Sequence, residues 1–192
     1  SFDIGDASVL LGISNSYGKA RINNNIDGSG SGFALHGHSS ISGADLTVKY
    51  VIDSIRSVSL QGEYLYRIIR GDRYERGEST PLSEEDYRSV QSGMYAQFVA
   101  KVSKQWRAGA RYDLLHLNRV EIDGTRQEQP ENLPRYSAMI EYNPTEFSRL
   151  RLQYGYDRSR HDETAGEAQL KPFHALYVQM NIAIGAHGAH AF

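Results

Sequence analysis

SRLRLQYGYDR, residues 148–158, decides the fold. In an extended chain Leu150, Leu152, Tyr154 and Tyr156 fall on one face. Arg149, Arg151, Gln153, Gly155 and Asp157 fall on the other. A strand sends successive side chains to opposite faces, whereas a helix would mix the two sets. The segment therefore reads as a strand with one apolar face and one polar, charged face.

The same period of two recurs outward from it. At 174–185, Leu176, Val178, Met180, Ile182 and Ile184 alternate with Tyr177, Gln179, Asn181, Ala183 and Gly185. Further runs lie at 4–14, where Leu10 is out of phase, and at 44–53, 57–70, 90–103, 105–116 and 135–143. This predicts about eight strands, mostly about 9–14 residues long, where globular strands average about 5–6. Short turns fall near 53–56, 103–105 and 143–147. Long polar segments fall near 15–42, 71–88, 117–133 and 158–173, and read as loops. Short and long connections alternate, which predicts an antiparallel up-and-down meander with all short turns at one end. That is the pattern of a transmembrane β-barrel.

Composition sets the outer bounds. A chain of 192 residues predicts a single domain, here 1–192. It has no Cys, which excludes disulfides, thiolate catalysis and Cys-ligated zinc. A formal net charge of -2 argues against a general nucleic-acid partner, which needs a Lys/Arg excess. The mean hydropathy of -0.53 is that of a water-soluble chain. Alternation explains it: only half of each strand is apolar, and polar loops dilute the average further. The chain starts at Ser1, which reads as a processed chain or a fragment.

Alternation alone leaves a soluble barrel or sandwich as the alternative. Four features favour an apolar face turned outward to lipid. The strands match the roughly 9–11 tilted residues that cross a bilayer. Tyr64, Tyr66, Trp106, Tyr112, Tyr136, Tyr142, Tyr154 and Tyr156 sit on the apolar face, towards strand ends, where amphipathic rings suit the water–lipid boundary. The connections alternate in length. The chain ends on Phe192, as an assembly signal would.

GEYLYRIIR (62–70), SGMYAQF (92–98), WRAGARYDLL (106–115), PRYSAMIEYNPTEFSRLRLQY (134–154) and GAHGAHAF (185–192) resemble a family of Gram-negative outer-membrane proteins. Its members are described as zinc-regulated, TonB-dependent-receptor-like or porin-like barrels. The resemblance covers residues 60–192 and implies a place in the bacterial outer membrane. It also implies outer-membrane lipid as surroundings, and recognition of the C-terminal strand and Phe192 by the barrel-assembly machinery. Members are usually about twice as long, so the chain resembles the C-terminal half of a larger barrel. Either the first and last strands pair and close a small barrel, or a partner chain or an absent upstream half completes the wall.

The polar face carries the candidate lining: Lys49, Glu63, Arg67, Lys101, Arg107, Arg111, Asp113, Glu141, Arg149 and Arg151, with Asp45 and Asp157. Ion pairs are expected of Glu141 with Arg149 and Arg151, and of Arg111 with Asp113. A surplus of arginine would favour anionic solutes. His36 and His38 are a candidate metal pair, with zinc the ion in question, and His187 and His190 are a second. Either pair alone falls short of a full ligand set. Asp113, His116 and Ser137 are the only hint of a catalytic rim. No G-x-S-x-G, phosphate loop or HExxH is present, so no enzyme is expected and no catalytic or cofactor-binding residue is assigned. The expected role is porin-like or receptor-assisted passage of small polar solutes or metal ions. The alternative is a structural or interaction barrel whose long surface loops bind a partner.

Overall fold

Where apolar and polar residues alternate, the chain is extended and pairs with its sequence neighbours. The computed structural model describes residues 2–24, 32–76, 83–159, 161–162 and 169–183. Strands β1 (Phe2–Ile4), β2 (Ala7–Asn24), β3 (Gly32–Val51), β4 (Ser57–Arg76) and β5 (Ser83–Lys101) come first. They are followed by β6 (Trp106–Ile122), β7 (Thr125–Gln127), β8 (Leu133–Thr145), β9 (Ser148–Asp157), β10 (His161–Asp162), β11 (Gln169–Leu170) and β12 (Phe173–Ile182). No described residue is helical. Ten strands form one antiparallel up-and-down sheet in the order β1-β2-β3-β4-β5-β6-β8-β9-β12, with β7 folded back on β6. β10 and β11 pair separately.

Eight long strands stand where eight were expected, but several run far longer. Residues 15–24, 32–42, 71–76, 83–88 and 117–122, read as loop, are strand. In these arms both faces carry polar side chains, so alternation fades while the backbone ladder continues. β3 and β4 stay paired from Val51–Ser57 to Gly32–Arg76.

The short turns all lie at one end and are closed by side-chain oxygens. Asp53 Oδ1 accepts from the backbone N–H of Ile55 (2.8 Å) and Arg56 (2.6 Å). Ser103 Oγ accepts from the N–H of Gln105 (3.3 Å) and Trp106 (3.0 Å). Thr145 Oγ1 accepts from the N–H of Phe147 (3.2 Å). These are the Asx and Ser/Thr turns that short polar side chains favour. The expected boundary at Asn143-Pro144 is crossed by β8, which continues to Thr145 through a register shift.

In a single-layered sheet the more sheltered face is the concave one, and here that is the charged face, since most large apolar side chains of the other face stand exposed. Nothing is layered on either face, so a deeply buried side chain must be crowded by neighbours on its own face. Glu141, Leu35 and Ile69, all on the charged face, are almost wholly buried. Gly37 and Gly71 stand directly opposite one another on β3 and β4. A Cβ on either would collide with the backbone of the other strand, so the strands approach there as only glycine permits.

β1 and β12 are the sheet's edges and do not pair with each other, so among the described residues the sheet is not closed. Of the two expected arrangements, closure by these strands alone is absent. The edges are also the barest part. Ile13 on β2 is 92% exposed and Val178 on β12 71%, against 47% for Leu60 and 46% for Ile140 inside the sheet.

Candidate functional site

Strand register arranges the concave face into charged rungs. All ten expected lining residues fall on this face, because each pairs across its strand borders with another polar-face position. Towards the turn end, one rung runs Lys101, Arg107, Glu141, Arg151 and Gln179 across β5, β6, β8, β9 and β12. Glu141 is its centre and is 1% exposed. Its Oε2 accepts from Arg151 Nε (3.0 Å) and Nη2 (2.6 Å), and lies 3.9 Å from Arg149 Nη1. Its Oε1 accepts from Arg107 Nη1 (3.4 Å) and Asn143 Nδ2 (3.1 Å). One buried carboxylate thus holds three guanidiniums, which satisfies the carboxylate and leaves an excess of positive charge. The expected pairing of Glu141 with Arg149 and Arg151 is present, and Arg107 joins it.

Further along the strands, another rung runs Asp45, Glu63, Tyr95, Asp113, Arg135 and Asp157. It carries four carboxylates and one arginine. Arg111, one rung nearer the turns, reaches up to Asp113 Oδ1 through Nε (2.8 Å) and Nη2 (2.6 Å), as expected. Its guanidinium also lies 3.8 Å over the Tyr95 ring, a cation–π contact. Arg67 donates from Nε to Ser39 Oγ (3.1 Å). Charge is therefore sorted between these two rungs: basic nearer the turns, acidic in the one further along.

Clefts open on this face. One of about 190 Å³ is lined by Arg107, Arg111, Ser137, Glu141 and Arg151. A larger one of about 620 Å³ is lined by Glu63, Arg67, Asp113, Arg135 and Asp157. Arg135 and Asn143 were not among the expected lining residues. They are the first and last residues of the expected run 135–143, where strand and turn meet and parity is least telling. Arg135 Nε is buried with no hydrogen-bond partner among the described residues.

The remaining candidates are scattered. His36 and His38 lie on the opposite face, where His36 packs against Tyr74 and His38 stacks on Tyr17, each pair 5.5 Å between ring centroids. Among the described residues no group of three His, Cys, Asp or Glu gathers for a metal ion. His116 Nδ1 is 2.9 Å from Asn132 Oδ1, while Asp113 is held by Arg111. No hydrogen bond joins Asp113, His116 and Ser137 into a catalytic set among the described residues. His187, His190 and Phe192 lie outside the described residues.

The convex face is apolar and tyrosine-rich. On β4 it runs Val58, Leu60, Gly62, Tyr64, Tyr66 and Ile68, and on β5 Ala100, Phe98, Ala96, Met94, Ser92 and Val90. Beyond Ile68 and Val90 it turns charged at Arg70 and Arg88. Trp106 packs on Tyr142 near the turns (4.6 Å between centroids). At the far ends of β8, β9 and β12, Tyr112, Tyr136, Tyr156 and His174 form a rung of contacting rings, with centroids 5.2, 6.5 and 4.9 Å apart.

No family model matches the chain, and no solved structure does. The chain is 41% identical over its 192 residues to an uncharacterized protein of Aquifex aeolicus (strain VF5). It spans 39% of the length of that curated relative.

Proposed function

We propose that this chain is part of the wall of a transmembrane β-barrel in a bacterial outer membrane. In the whole protein the barrel passes small polar solutes or ions. The observation that carries this reading is the exposed convex belt. On β4 it extends from Val58 to Ile68 and on β5 from Ala100 to Val90, in register. That depth matches the roughly 9–11 residues with which a tilted strand crosses a bilayer. The Trp106–Tyr142 contact at its turn-side border suits an interface. In water such a face would be a large unprotected apolar patch; in lipid it is at its lowest free energy.

The open edges fit the same reading. Lipid offers no hydrogen bonds to an unpaired strand, so the β2 and β12 edges need neighbouring strands from elsewhere in the assembled wall. The charged concave face then borders water. Water at that face lowers the cost of holding charged rungs.

The test has two stages. Expressed protein should fractionate with outer membranes; recovery in the soluble periplasm would refute the membrane reading. Purified full-length protein in planar bilayers should give conductance steps. Stable insertion without any steps would leave a structural barrel and remove the passage role.

A further inference from the structure

We propose that the first charged rung above the apolar belt, on the convex face, binds the phosphate of a membrane lipid headgroup. The inference rests on the membrane reading above. Register places Lys19, His38, Arg70, Arg88 and Glu121 side by side on β2, β3, β4, β5 and β6. Lys19, His38, Arg70 and Arg88 are all exposed. Strands are about 4.8 Å apart, so neighbouring head groups on this rung reach one common anion.

Three further features point to phosphate. First, Arg70 stands directly opposite Arg88. Like charges in that position destabilise a sheet unless an anion lies between them. Arg88 Nη1 has Glu121 on its far side, 3.1 Å away. Arg70 and Lys19 have no carboxylate within ion-pair distance among the described residues. Second, the rung borders the belt directly: the next rung inward is Tyr17, Ser40, Ile68, Val90 and Arg119. Arg119 is already engaged by Glu131 (3.2 Å). Third, two acids lie on the outer side: the next rung outward carries Arg21, His36, Asp72 and Asp86. Glu121, at the β6 end, is the one carboxylate in the rung itself and is paired with Arg88. Lys19, His38, Arg70 and Arg88 therefore stand side by side at the edge of the belt with no acid between them. Tyr17, stacked on His38, supplies an amphipathic ring at the same depth.

The experiment uses the whole protein, with the strands that complete the wall, in vesicles of phosphatidylcholine with and without phosphatidylglycerol. After mild detergent extraction, native mass spectrometry reads the lipid retained per protein. Phosphatidylglycerol should be retained over phosphatidylcholine. Arg70→Gln and Arg88→Gln should each weaken retention about fivefold, the usual worth of one basic side chain at an anionic surface. Arg70→Lys should keep most of it, and Arg56→Gln, at the turn end, should leave it unchanged. Equal retention of both lipids, or equal loss with Arg56→Gln, would overturn the inference. Displacement of the lipid by dilute inorganic phosphate would also overturn it and assign the rung to a soluble anion. Failure to enter vesicles at all would instead sink the membrane reading on which it rests.

Discussion

The belt and the arms of the same strands obey different rules. In the belt, Leu60 and Phe98 face out while Gln61 and Gln97 face in, pair after pair. In the arms, Arg70 opposes Arg88 on one face while Arg73 meets Glu85 on the other. The ladder of backbone hydrogen bonds is the same in both. Strand length is thus set by the ladder, and alternation marks only the part where one face is apolar and the other polar.

The largest break in that comparison is a charge placed in the belt. Met94→Arg, at the middle of the belt, should destabilise the membrane-inserted protein by about 2–4 kcal/mol, the cost of an arginine on a lipid face near the midplane. Ile22→Arg, in the β2 arm where the side chain is already 44% exposed, should stay within about 0.5 kcal/mol. Urea unfolding from vesicles measures both. Equal, small effects would mean that the convex face of the belt meets water rather than lipid.

This contrast also explains what was legible in the sequence. The belt halves of all eight long strands were readable because burial asymmetry writes a period of two. The arms were not, since Ser39, Ser40 and Ser42, or Gly71, Asp72 and Arg73, look alike for strand and loop. The ten lining residues were legible by parity. Their partners were legible only in part: Arg111 with Asp113 follows from adjacency on one strand. The capture of Arg107 by Glu141 needs the β6–β8 register, which depends on where the turns close. Gly37 against Gly71 was invisible, because a close approach between strands leaves no mark on either segment alone.

A smaller break concerns the basic rung. Glu141→Gln keeps the shape of the side chain and removes its charge, leaving Arg107, Arg149 and Arg151 to repel one another. Loss of a carboxylate from a fully buried pair costs about 3–5 kcal/mol. Here the three arginines keep 47%, 35% and 30% of their side-chain surface exposed. Water therefore screens the repulsion, and about 2 kcal/mol is expected. Adding Arg107→Gln to Glu141→Gln should recover part of the loss. No recovery would mean that Glu141 acts through packing and its Asn143 contact rather than through charge.

The smallest expected effect separates two turns at the same end. The Asp53 carboxylate accepts hydrogen bonds from the backbone N–H of Arg56 and Ile55 and from the Arg56 side chain, which hold its pKa at about 2, below the usual 3.8. A group with a depressed folded-state pKa contributes stability that is fully present above its unfolded value and is lost as pH falls through its folded one. The Asp53 turn should therefore loosen between about pH 3.8 and about pH 2. The Ser103 turn is closed by a hydroxyl, which does not titrate in that range, so it should not change there. Amide hydrogen exchange at Ile55 and Arg56, compared with Gln105 and Trp106, reads the difference. Asp53→Asn should abolish the acid-dependent change at the first turn and leave the second untouched. Parallel loosening of both turns would place the acid sensitivity elsewhere in the sheet.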